Sequence, residues 1–242
     1  MKTTLTLLTA LLLAPPVLKA VEFYTPEQDK GGMTDAVSID ASLPNVLIIG
    51  DSISIGYTRQ VRDGLRGKAN VIRPNTNCGD TQMGLAGLKK WIGTNHWDVI
   101  HFNWGLWDLC YRNPQSKNQG QRDKVNGKLS TSLVDYEKNL ETLVLQLKAT
   151  GATLIWASTT VVPEGEAGRC TGDEVKYNVA AERVMKKYGV QIDDLYATSK
   201  VLSPECTKPG DVHFTYEGYA KLATQVVAKV SEVLQTTTRS NH

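Results

Sequence analysis

Residues Asn45-Val-Leu-Ile-Ile49 form an uninterrupted apolar run that ends on Gly50-Asp51-Ser52. A strand with one face in water alternates polar and apolar side chains. A run without alternation suits a strand buried on both faces, the condition of a parallel sheet covered by helices. Further short apolar runs follow at Asn70 to Arg73, Asp98 to Phe102, Ala152 to Ala157 and Val190 to Ile192. Helical patterns separate them. Ser132 to Thr150 places Leu133, Tyr136, Leu140, Leu143, Val144 and Leu147 on one face and ends before Gly151. Tyr177, Ala180, Ala181, Val184 and Tyr188 repeat the pattern before Gly189. The last helix sets Tyr219, Leu222, Ala223, Val226, Val227, Val230 and Leu234 in register behind Thr215, a candidate N-cap. Five apolar strands alternating with helices predict a three-layer α/β/α sandwich around one five-stranded parallel sheet.

The 242 residues, 41% apolar and 21% charged, have room for one large domain or two small ones, and the strand count settles on one. Residues 1–20 read as a signal peptide: Lys2 gives the charged start, Leu5 to Ala14 the apolar stretch, and Leu18-Lys19-Ala20 the cleavage site. That stretch is too short to span a bilayer, which takes about 20 residues. The expected product is secreted or periplasmic, with residues 21–43 as an N-terminal arm and 44–242 as the domain. The formal charge of +2 comes from Lys2 and Lys19, so the body is neutral and offers neither nucleic acid nor an anionic membrane an electrostatic footprint.

In open parallel sheets the ligand lies beyond the carboxyl ends of the strands. The loops to search are Gly50 to Tyr57, Pro74 to Met83, and Trp104 to Gly127, the last long, polar and rich in Asn, Gln and Gly. Ser52, directly after a strand and close to a helix start, sits where backbone N–H groups and the helix dipole favour developing negative charge. Equally, Asp51 or Ser52 in such a turn serves as a helix cap. Of the histidines, His242 ends the chain, His96 lies in a polar turn, and His101 lies inside a strand as a packed core residue. His213 differs, in the segment Gly210-Asp-Val-His-Phe-Thr215 ahead of the last helix. A serine hydroxyl needs a positioned imidazole to become a nucleophile, and the imidazole needs an acceptor to fix its tautomer. Ser52, His213 and Asp211 supply the three types. The cysteines lack CxxC spacing and no His/Asp/Glu cluster has ligand spacing, so neither metal nor cofactor is expected.

These pieces resemble the SGNH hydrolase superfamily, the GDSL esterases and lipases, over most of residues 45 to 235. Val46 to Tyr57 is similar to the family's strand and nucleophile turn. Cys78-Gly79-Asp80-Thr81 resembles the second block, whose glycine N–H contributes to an oxyanion hole, a role Gly79 inherits with the Ser52 N–H. Gly105-Leu-Trp-Asp108 resembles the third block and Asp211-Val-His213 the fifth. The resemblance implies a flavodoxin-like fold and a serine esterase working through an acyl-enzyme. Two departures stand out. Trp107 occupies the position of the family asparagine that donates to the oxyanion, so Trp107, Asn103 or a backbone N–H must complete the hole. Gly210 stands three residues before His213, where the family acid belongs, leaving Asp211 only two before.

For substrate, Asp51, Trp104 and Trp107 are candidate binding residues. Exposed indoles would stack on a sugar ring, whereas buried ones would fill the core. A polar third loop suits a hydroxylated substrate, and an exported member without a broad apolar loop resembles carbohydrate O-acetyl esterases. The alternatives are a lipid or aryl esterase or an acyltransferase of the same superfamily, or a weakened glycan-binding module. The partner is in each case a small or polysaccharide ester or glycan, with no statement on oligomeric state. The four cysteines, placed against the blocks, give expected bridges Cys78–Cys110 and Cys170–Cys206, with four buried thiols as the other reading.

Overall fold

A computed structural model describes residues 38–240. The signal segment 1–20 and most of the arm 21–43 lie outside the described residues. The central sheet contains β1 (Asn45–Ile49), β2 (Asn70–Ile72), β3 (Val99–Phe102), β6 (Thr153–Ala157) and β7 (Gln191–Asp193), in the order β2-β1-β3-β6-β7. Every pair is parallel, with Val46 opposite both Val71 and Val99. The five apolar runs thus become the five strands, each within a residue or two of its expected bounds. Val46 to Ile49 are at most 1% exposed, each contributing about 2 kcal/mol of burial.

Helices α1 (Ser52–Gly64) and α6 (Tyr216–Ser240) pack together on one face of the sheet. Helices α2 (Thr81–Ile92), α3 (Leu133–Lys148) and α4 (Asp173–Tyr188) pack in series on the other, and the short α5 (Leu195–Lys200) lies against α6. The apolar stripe of α3 is buried as its spacing predicts, from Tyr136 through Leu140, Leu143 and Val144 to Leu147. Thr215 Oγ1 accepts the Gly218 N–H at 3.3 Å, the N-cap bond anticipated for α6. His101 is fully buried on the α1/α6 face, where its Nε2 lies 3.0 Å from Asp193 Oδ2, and Gln225 of α6 donates to the other carboxylate oxygen at 2.6 Å.

The stretch between β3 and α3 is more ordered than a polar loop. Strands β4 (Tyr111–Arg112) and β5 (Lys128–Leu129) pair antiparallel, and Asp123 accepts from the backbone of Val125 and Asn126 and from the Asn113 amide. The Tyr111 and Lys124 N–H groups donate to the carbonyls of Gly168 and Ala167. This insertion is therefore pinned to the loop that follows β6. A second short ladder, β8 (Thr207–Lys208) with β9 (Asp211–Phe214), precedes α6.

Neither expected disulfide is formed: all four cysteines are free thiols. Proximity of their blocks in sequence did not determine where the sulfurs point. Cys78 Sγ faces the Thr76 carbonyl, Cys110 Sγ the Tyr111 carbonyl, and Cys206 Sγ the Ser203 hydroxyl, each within its own loop. Burial pushes the Cys78 thiol up to about 11, so the thiolate that disulfide exchange requires scarcely forms there. Thermal unfolding with and without a thiol reductant should give the same Tm. A drop of several degrees on reduction would show that a bridge carries part of the stability.

Candidate active site

The nucleophile turn is built at the carboxyl end of β1. Asp51 is 1% exposed and its Oδ1 accepts the Ile53 N–H at 2.9 Å, capping α1. It is therefore a helix cap and not the substrate-binding residue expected. Burial raises its carboxyl, opposed by that backbone bond and by Arg169, His213 and Arg73 nearby. Ser52 takes the next position, the first residue of α1, where its N–H has no intrahelical acceptor. Capping falls to Asp51, which leaves the Ser52 hydroxyl free of that duty. Gly50 permits the close approach: a Cβ there would come within 3.0 Å of Ser54. The buried guanidinium of Arg73, at the end of β2, donates to the Gly50 carbonyl and Ser54 Oγ at 3.2 Å each and to the carbonyls of Pro74 and Thr76. It ties the first and second loops together.

The other half of the site comes from β9. Val212 and Phe214 are each 3% exposed and face the core, while Asp211 and His213 alternate with them. Residues two apart on a strand share a face. Asp211 Oδ1 consequently reaches back to His213 at 2.6 Å from Nδ1 and 3.1 Å from the backbone N–H. His213 Nε2 lies 2.8 Å from Ser52 Oγ. The two-residue spacing that departs from the family pattern is the spacing an extended segment requires. Burial pushes the Asp211 carboxyl up, but the His213 hydrogen bonds and the neighbouring Arg122 guanidinium outweigh it and hold it below the usual range. An ionised Asp211 requires the hydrogen on Nδ1, which leaves Nε2 free to accept the serine proton.

Beyond the triad runs a chain of alternating charge. Arg122 Nη1, from the insertion, lies 4.0 Å from Asp211 Oδ1 and 2.8 Å from Glu166 Oε1. Glu166 also receives Arg169 at 2.9 Å and the Gly168 N–H at 2.6 Å, and Arg169 Nε donates to the Leu106 carbonyl at 2.6 Å. None of these three residues stood out in the sequence. Isolated charges in polar loops carry no periodicity, and their charged partners are 44 or more positions away, apart from the Glu166–Arg169 pair.

The candidate oxyanion donors differ in availability. Gly79, held at φ +58°, donates its N–H to Asn77 Oδ1 at 3.0 Å. Asn103 commits its amide to the Ala157 carbonyl at 2.7 Å and to Thr159 Oγ1 at 3.4 Å, so it latches β3 to β6 and is not a spare donor. Trp107 is half-buried under the guanidinium of Arg112, 4.4 Å from the ring centroid. Its Nε1–H has no acceptor among the described residues. Trp104 is a correction to the sugar-binding expectation: it is fully buried, donates to the Cys78 carbonyl at 3.3 Å and packs against Phe102 and Gly84. Asp108, also buried, accepts the Thr81 N–H at 3.0 Å and the Thr81 hydroxyl at 2.6 Å, fixing the start of α2 against the turn after β3.

No protein-family model matches the sequence, and no curated protein matches it. Solved structures do match the fold. The acetyl xylan esterase AlAXEase superposes with TM-score 0.62 at 14% identity, over 77% of this chain and 99% of that one. A lipase/acylhydrolase from Enterococcus faecalis gives 0.61 at 19% identity, over 77% and 95%. Axe2, an acetylxylan esterase from Geobacillus stearothermophilus, gives 0.62 at 17% identity, over 77% and 94%. The five-stranded parallel sheet between two helical layers is the architecture implied by the SGNH resemblance.

Burial raises the Asp108 carboxyl from 3.8 to about 7, against the opposing Thr81 hydrogen bonds. The folded protein keeps a proton on Asp108 that the unfolded chain releases near its ordinary value. Stability is therefore lost as pH rises from about 4 to about 7. Asp108→Asn keeps the acceptor for Thr81 and cannot titrate in this window. Urea unfolding of both proteins across it should show the variant gaining on the wild type toward neutrality; parallel curves would refute the shift.

Proposed function

We propose that this chain is a serine esterase of the SGNH hydrolase superfamily that cleaves carboxylic esters through an acyl-enzyme, with O-acetyl groups on a carbohydrate as substrate. The observation that carries the reading is the continuous Ser52–His213–Asp211 contact, 2.8 Å then 2.6 Å, at the carboxyl end of β1. His213 Nε2 takes the proton from Ser52 Oγ as that oxygen attacks the ester carbonyl, and Asp211 stabilises the imidazolium that forms. The proton then passes to the leaving alcohol. Water, deprotonated by the same imidazole, releases the acyl group and regenerates Ser52.

The tetrahedral oxyanion draws on the Ser52 N–H at the positive end of α1, on the Gly79 N–H once it leaves Asn77, and on the Trp107 indole N–H as third donor. The commitment of the Asn103 amide to β6 supports Trp107 over Asn103 in that role. The acetyl preference is supported by the two acetyl xylan esterases among the fold matches. Export, through removal of residues 1–20, is part of the same reading.

A fluorophosphonate should label Ser52 promptly in the wild type and not in Ser52→Ala, and that variant should lose at least about 10⁴-fold in kcat on an aryl acetate. Acetate release from acetylated xylan should exceed cleavage of longer-chain esters. Absence of labelling in folded protein, together with glycan binding, would make the chain a binding module; a preference for long acyl chains would make it a lipid esterase.

A further inference from the structure

Asp211 sits on a short two-stranded ladder apart from the central sheet, and the second neighbour of its carboxylate, Arg122, comes from a distant part of the chain. We propose that Arg122 is a positioning residue for catalysis: anchored by the buried Glu166–Arg169 pair, its guanidinium holds the Asp211 carboxylate against His213 and makes the insertion between β3 and α3 an integral part of the catalytic unit. The inference rests on the esterase reading above.

The geometry specifies the direction of support. Glu166 is fully buried and Arg169 is 4% exposed, so this pair is fixed by packing as well as by charge. Two cations around one buried carboxylate leave an excess of positive charge, and Asp211, 4.0 Å from Arg122 Nη1, is the next anion along the chain. Asp211 and His213 are each about a third exposed at the side chain, where a lone carboxylate–imidazole pair is loosened by competing water. The insertion itself is pinned by backbone bonds from Tyr111 and Lys124 to Gly168 and Ala167, which delivers Arg122 to the same loop that carries Glu166.

Other ionisable groups surround this dyad. Asp51, the cap of α1, lies within electrostatic reach of His213, Arg169 and Arg73, and Tyr219 of α6, its phenol pushed well above the usual range by burial, lies within reach of Asp51 and Asp211. Arg122 is the cation directly beside Asp211. Its removal takes away a positive charge that opposes a charged imidazolium, so the base form of the dyad should appear only at higher pH.

The test is the pH dependence of kcat/KM on an aryl acetate for wild type, Arg122→Gln, Arg122→Met and Arg122→Lys, with fluorophosphonate labelling in parallel. Glutamine retains an N–H donor and methionine the apolar stem, and thermal unfolding of each variant checks that the fold is kept. The neutral variants should lose about tenfold in kcat with little change in KM, and their acid limb should move up by about half to one pH unit. The lysine variant should keep the wild-type limb and recover part of the rate. Neutral variants with wild-type rate, or with a reduced rate and an unmoved limb, would overturn the positioning role. A wild type that neither labels at Ser52 nor hydrolyses the ester would instead overturn the esterase reading beneath it.

Discussion

A strand paired along both edges and covered on both faces meets solvent only at its ends, and β1 is such a strand. Its neighbours β2 and β3 lie on opposite sides, so the connections leaving β1 and β3 diverge and open a crevice where the strand order reverses. The first turn of α1 fills one wall of that crevice, with unsatisfied N–H groups facing it. Arg73 makes the wall rigid by spending its guanidinium on backbone carbonyls of two loops at once. Ser52 is thus placed by the sheet, on a turn held by a buried cation, before His213 is considered.

The partner arrives by a different principle. Strand β9 contributes nothing to the central sheet. It supplies alternation alone, with Val212 and Phe214 as buried anchors and Asp211 and His213 as the half-buried pair alternating with them. A strand converts a two-residue separation into side-by-side placement, as a helical turn does for three or four. The same hydroxyl–imidazole–carboxylate contact is therefore reachable with a shorter acid-to-base spacing, provided the local backbone is extended.

The sheet and its order of elements were legible because continuous apolar runs and 3.6-residue stripes are statements about burial, which the fold must satisfy over many residues at once. The meeting of Ser52, His213 and Asp211 was legible because few residues of this chain offer a hydroxyl, an imidazole and a carboxylate in loops at one end of the sheet. What failed to show was direction. Trp104 and Trp107 are three apart around one turn, and nothing in their spacing tells that the first points into the core and the second lies under Arg112. The cysteines stood beside the right blocks while their sulfurs faced local carbonyls. The two-residue strands β4, β5 and β8 are too short to carry a period. Arg122, Glu166 and Arg169 owe their importance to contacts that no local pattern encodes.

Under the proposed esterase reading, the bond from the Gly79 N–H to Asn77 Oδ1 bears on discrimination between ground and transition states. The amide oxygen of Asn77 is at least as good an acceptor as a neutral ester carbonyl, so a bound substrate gains little by displacing it. An alkoxide is a far better acceptor and wins the exchange. A donor kept occupied in this way withholds its contribution until negative charge has formed, so its energy enters the rate and not the affinity. Asn77 would then act as a placeholder whose strength as an acceptor sets the threshold of charge at which Gly79 changes partners.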